Sequence, residues 1–174
     1  MTKPRRTILH GLPPAVAADC RVLVLGSMPG DASLHAASYY AHPRNRFWPL
    51  MGALFGFDAA VSYDARIAAL QRAGVGLWDV IGQCERHGSL DAAIVPGSEV
   101  ANDLLPLIAS QQSLRVVAFN GGKAAQAFSR HVQPTLPPAI AARLVFRALP
   151  STSPANAGFG FARLHDAWRV LQDA

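Results

Sequence analysis

The sequence predicts an α/β fold in which a mostly parallel β-sheet is covered on both faces by helices. Two observations carry this expectation: four short apolar runs that read as buried strands, and segments of helical period lying between them. Strands that alternate with helices pair in parallel, and such a sheet needs both faces shielded from water.

The first run, Arg21 to Leu25 (RVLVL), leads into GSMPG, Gly26 to Gly30. Helical patterns follow at Phe47 to Phe55 and at Asp64 to Ala73, with Ser62 placed to cap the second. The second run, Val75 to Ile81 (VGLWDVI), is apolar except for Asp79. Another helix is expected near Asn102 to Ser110, then a strand at Arg115 to Phe119 (RVVAF) and a helix at Gly122 to His131. QPTLPP, Gln133 to Pro138, reads as a surface turn, and the fourth run is Leu144 to Leu149 (LVFRAL). Last comes Phe159 to Gln172, whose Phe161, Leu164, Trp168 and Leu171 fall on one face at the 3.6-residue period.

With 174 residues, 51% of them hydrophobic, the chain is expected to form one domain over residues 1–174, preceded within it by a poorly ordered basic segment at residues 1–12. Sixteen Lys and Arg against eleven Asp and Glu give a net charge of +5 and an isoelectric point near 9.9, a balance that favours a polyanionic partner. MTKPRRTILHGLPP lacks the apolar run of a signal peptide, and no apolar stretch approaches the ~18 residues that span a bilayer, so a cytoplasmic protein with no membrane association is expected. Cys20 and Cys84 are too few for a four-thiolate cluster, and the histidines show no metal-binding spacing; neither a metal nor a cofactor is expected.

In an open parallel sheet, chemistry gathers where loops leave the carboxyl ends of the strands, and the unusual residues lie there. GSMPG lacks the P-loop and dinucleotide spacings, and Met28 fills the centre where a nucleophile elbow needs serine; otherwise it reads as a tight turn. In YYAHPRNRFW, Tyr39 to Trp48, Asn45 reads either as a helix cap ahead of the anchors Phe47 and Trp48 or as an amide that holds a water. Tyr40 offers a ring on which a base can stack. FNGGK, Phe119 to Lys123, presents free backbone N–H groups and Lys123 to a phosphate or base edge, or is an ordinary strand-to-helix loop. LPSTSPAN, Leu149 to Asn156, sets hydroxyls between prolines, suited to gripping a DNA backbone or to capping the last helix through Ser153 or Asn156. Asp79 is the acidic residue hardest to place on a solvated surface; capping of the loop that follows is the alternative.

In this order the segments resemble the uracil-DNA glycosylase superfamily: GSMPG stands at its first motif, HPRNRFW is similar to the H-P-x-N-x-F-W stretch of the mismatch-specific enzymes, and LPSTSPAN stands at the second, DNA-intercalating motif. Within it, GSMPG, YYAHPRN, LWDV, CERHGSLD and PSTSPAN are most similar to the hypoxanthine-DNA (deoxyinosine) glycosylase family. The resemblance runs from about Gly11 to the C-terminus. It implies a three-layer αβα sandwich around a four-stranded parallel sheet, and a monofunctional enzyme that hydrolyses the N-glycosidic bond of a flipped deaminated base, hypoxanthine first, with no metal or cofactor. Met28 stands where most of the superfamily has Asp or Asn, and Leu149 where the second motif opens with His or Asn.

With Met28 unable to orient water, the resemblance assigns that task to Asn45 and base stacking to Tyr40. Ser27, Met28, Pro29 and Gly30 are expected around the base, with Asp79 or the Asn120 carbonyl accepting from hypoxanthine N1–H and a backbone N–H directed at O6. His42, Lys123, Ser151, Thr152, Ser153 and Pro154 are expected against the DNA, Ser153 or Pro154 replacing a large wedge. The alternatives are a uracil-preferring enzyme of the same fold and a non-catalytic DNA-binding module. A monomer is expected, since one basic face must reach the duplex.

Overall fold

The structure, a computed structural model, describes residues 7–174. In chain order its elements are β1 (Ile8–His10), β2 (Val22–Gly26), α1 (Asp31–Ala36), α2 (Phe47–Phe55), α3 (Tyr63–Arg72), β3 (Val75–Asp79), β4 (Ile81–Glu85), β5 (Val100–Ala101), α4 (Leu104–Ser110), β6 (Val116–Asn120), α5 (Gly122–His131), α6 (Pro138–Ala142), β7 (Val145–Leu149) and α7 (Phe161–Trp168). A 3-10 turn, Arg169–Asp173, continues α7.

Four strands make a parallel sheet in the order β3-β2-β6-β7. Side chains alternate across it. On one face, Leu23 and Leu25 of β2 and Val117 and Phe119 of β6 pack with Ile108 of α4 and Phe128 of α5. On the other, Val22, Val24, Val75, Leu77 and Ala118 pack with Phe47, Leu50 and Met51 of α2, Leu70 of α3, and Leu164 and Trp168 of α7. Each such fully buried aliphatic side chain contributes roughly 1.5–3 kcal/mol, so both helical layers are held by the same strands. The result is a three-layer αβα sandwich.

Several elements differ from the sequence expectation. The run Val75–Ile81 is not one strand: β3 stops at Asp79, and Ile81 opens β4, which pairs antiparallel with β1 and β5 in a second, three-stranded sheet. Val80 and Ile81 are both fully buried and donate to the Gly26 and Ser27 carbonyls, so hydrophobicity continues unbroken across the switch. The expected loose N-terminal segment is corrected over Ile8–His10, which are strand β1, with Leu9 opposite Cys84; residues 1–6 lie outside the described residues. The supposed turn at Gln133 to Pro138 contains a 3-10 turn, and Pro138 opens α6, where its missing N–H costs nothing. Phe161 is 42% exposed, unlike Leu164, Trp168 and Leu171. Among the described residues no helix is long and apolar enough to cross a membrane.

Candidate functional site

Gly26 lies opposite Asp79, and Asn120 opposite Leu149, so the carboxyl ends of all four parallel strands fall along one rim. A cavity of about 950 Å³ opens there. Its walls include Ser27, Met28, Pro29 and Gly30, then Tyr40, His42 and Asn45, then Asp79 and Asn120, and finally Ser151, Thr152, Ser153 and Pro154. Of the residues singled out from sequence, Lys123 alone is absent from the lining: its Nζ is 2.5 Å from Glu99 Oε1, an ion pair that occupies the charge expected for DNA.

The floor is built on Gly26. A Cβ there would collide with Asp79 Oδ1 and lie 3.2 Å from Tyr40 Oη, so only glycine lets the carboxyl group and the phenol converge on the end of β2. Asp79 is buried, and that burial, reinforced by the Asp91 carboxylate, pushes its carboxyl up to about 7. Asp79 Oδ2 and Tyr40 Oη are buried with no hydrogen-bond partner. Burial first, and then the Asp79 charge, raises the Tyr40 phenol, which stays protonated. Tyr40 adopts a left-handed backbone, φ +54°, a strain of order 1–3 kcal/mol in a non-glycine residue. Its ring is held against Phe47 in a stack with centroids 3.9 Å apart. One face of Tyr40 is therefore already covered, and a base can meet only the other.

Asn45 lines the cavity but is not the N-cap of α2, a position held by Arg46; it stands one residue earlier. Its Oδ1 accepts from the Phe47 N–H at the start of α2 and from the Thr152 hydroxyl, both at 2.9 Å. A carbonyl oxygen has two lone pairs, so the amide NH₂ is the part of Asn45 left to bind anything else. Thr152 is fully buried, donates to Asn45, accepts from Asn120 Nδ2 at 2.9 Å, and donates its backbone N–H to Asn120 Oδ1. The expectation that Thr152 touches a phosphate is thus corrected: its polar groups are spent orienting two amides. Asn120 is tied to Thr152 at both ends of its amide, and Asp79 Oδ2 is a buried acceptor on the floor with no hydrogen-bond partner.

Within the last loop, Ser151 Oγ accepts from Ser153 N–H and Ser153 Oγ from Ala155 N–H, local bonds that stiffen the turn. Neither Ser153 nor Asn156 caps α7, which begins after Gly160. His42 is exposed at the rim, where its Nδ1 accepts from Arg44 N–H.

Three residues were not singled out from sequence. The Arg46 guanidinium, half-buried beneath the last loop, donates to the carbonyls of Thr152, Ser153, Asn156 and Phe159. Such a fork of donors suits several carbonyls at once, but a single arginine in HPRNRFW carries no signal of what lies above it. Arg86 is buried and donates to the Pro29 carbonyl at 2.7 Å, pinning the first loop. Asp91 accepts from Ser27 Oγ at 2.7 Å; burial raises its carboxyl, partly offset by that bond and by Arg86 and Lys123. Among the described residues no group of three or more His, Cys, Asp or Glu is placed to hold a metal ion.

A family model described as the uracil DNA glycosylase superfamily matches residues 13–172. The chain is 38% identical to a hypoxanthine DNA glycosylase of Methanosarcina barkeri over 118 residues, 67% of this chain and 73% of that protein. It is 36% identical to a hypoxanthine DNA glycosylase of Methanosarcina acetivorans over 120 residues, 68% of this chain and 75% of the relative. A solution NMR structure of a candidate uracil DNA glycosylase from Methanosarcina acetivorans superposes with a TM-score of 0.76 at 30% identity, covering 95% of this chain and 99% of that one.

Proposed function

The chain belongs to the uracil DNA glycosylase superfamily, and from that membership we propose that it excises hypoxanthine from DNA. It is a DNA glycosylase; the substrate is read from the floor of its cavity and from the relatives named for hypoxanthine. The observation that carries this reading is the buried, unpartnered Asp79 oxygen. Hypoxanthine presents a donor at N1, which an ionised Asp79 accepts. Adenine presents an acceptor there, leaving two acceptors face to face in a buried site, a mismatch worth orders of magnitude in rate.

Hydrolysis breaks the bond from C1′ to the base nitrogen: the base leaves with the electron pair and takes up a proton, while water adds to C1′ and gives one up. The sugar is oxocarbenium-like in the transition state, so the site needs a placed water rather than a strong base. The Asn45 NH₂ holds that water by donating to its oxygen, with Thr152 and Phe47 N–H fixing the amide. The base leaves the stack to reach the cavity, at a cost of a few kcal/mol that is lowest at a mispair. The exposed face of Tyr40 covers the ring, and Ser151, Ser153, Pro154 and His42 meet the backbone. The same reading has the chain acting as a single-domain monomer in the cytoplasm; its basic balance supports DNA as the partner.

Single-turnover incubation with duplexes carrying hypoxanthine, uracil or no lesion, followed by alkaline strand cleavage, tests the proposal. Hypoxanthine should be released fastest; faster uracil release overturns the substrate assignment. In the same assay Asn45→Ala should lose at least a hundredfold in release while binding DNA within about threefold of the parent. Equal loss of binding and release in a folded variant refutes the role given to Asn45.

A further inference from the structure

We propose that Leu90 is the side chain that fills the base stack when the damaged nucleotide leaves it, an inference that rests on the base-flipping reading above. Leu90 lies on the cavity wall yet is 58% exposed, whereas Met28 and Tyr39 on the same wall are buried. Leu90 is thus a large aliphatic side chain standing in water at the mouth of the cavity.

Its backbone is held on both sides. Arg86 donates to Gly88 O at 2.6 Å and to Pro29 O at 2.7 Å. Ser89 Oγ accepts from Asp31 N–H at 3.0 Å, and Asp91 accepts from Ser27 Oγ at 2.7 Å. The loop around Leu90 is thus tied repeatedly to the first loop of the cavity, while the leucine itself is left outside. A wedge needs this combination: a stiff support and an apolar tip whose burial between bases offsets the loss of stacking.

The last loop, where the resemblance places the plug, lacks such a tip. Ser151 and Ser153 are short and bonded to neighbouring N–H groups, and Pro154 is compact. The two loops also come from different sheets: the last loop follows β7, an edge strand of the parallel sheet, and the Leu90 loop follows β4 of the three-stranded sheet. The last loop thereby grips the backbone and the Leu90 loop supplies the plug.

The test compares Leu90→Ala and Leu90→Gln with the parent chain in single-turnover release of hypoxanthine from duplex and from single-stranded DNA. A single strand has no paired stack to fill. The proposal expects release from duplex to fall tenfold or more in both variants, release from single strands to stay within about twofold, and thermal melting to be unchanged. A bulky pyrene placed opposite the lesion should restore duplex release by Leu90→Ala, because it occupies the gap from the other strand. Undiminished duplex release, or equal losses on both substrates, overturns the role of Leu90. If the parent chain releases uracil but not hypoxanthine, the substrate reading fails, and the same comparison on uracil duplexes still decides the wedge.

Discussion

Replacing Asp79 by asparagine should stabilise the protein, and increasingly so as pH rises. In the unfolded chain this carboxyl ionises near 3.8; in the fold burial pushes it up to about 7. Between those values the native state holds a proton that the unfolded state has released, so unfolding free energy falls as pH rises. The contribution of Asp79 is fully present below about 3.8 and gone above about 7. A displacement of about three units, at 1.36 kcal/mol each, sets a ceiling of about 4 kcal/mol on the penalty at pH 8. The amide of Asp79→Asn carries no charge and escapes it. Urea denaturation of both proteins at pH 5 and pH 8 measures the difference, which should grow by about 1–2 kcal/mol or more between the two. Hypoxanthine release by the parent chain should move the other way, rising through pH 7 as the acceptor ionises, and that step should vanish in Asp79→Asn. A stability difference that does not change with pH would refute the claim that an uncompensated carboxylate sits on the cavity floor.

Two further perturbations probe how the Asn45 amide and the last loop are held. Thr152→Val leaves Asn45 Oδ1 with one donor and Asn120 Nδ2 with none; it should cost about 1–3 kcal/mol in urea denaturation and lower the single-turnover rate at least tenfold, with DNA affinity nearly unchanged. Arg46→Ala should loosen residues 152–159 and weaken DNA binding about tenfold in a fluorescence titration, and Arg46→Lys should not restore it, because one ammonium cannot bridge four carbonyls. Full rescue by lysine would show that charge alone matters there.

The layered fold is legible in the sequence because its signals are periodic and local. Phe47–Phe55 and Gly122–His131 begin and end where their apolar spacing begins and ends, and Ser62 does cap α3 through Ala65 N–H. What failed depended on partners far along the chain. Nothing in VGLWDVI marks the point where one sheet gives way to another, since apolar residues lie on both sides of Asp79. Helix α1 has six residues, too few to show a period. At the site, sequence brought the cavity walls together through Gly26, Asn45, Asp79 and Asn120, each at the end of an apolar run or the start of a helix. Hydroxyls were ambiguous: a threonine that orients amides and a serine that faces solvent look alike in PSTSPAN. Arg46 and Arg86 escaped notice because their bonds run to carbonyls distant in the chain, which no local motif signals.

The bond between Asn45 and Thr152 spans 107 residues, and the amide it orients lies just before α2. Because Thr152 lies in the loop after β7, the Asn45 amide is fixed only where that loop docks against the start of α2, so the two ends of the fold meet in one hydrogen bond.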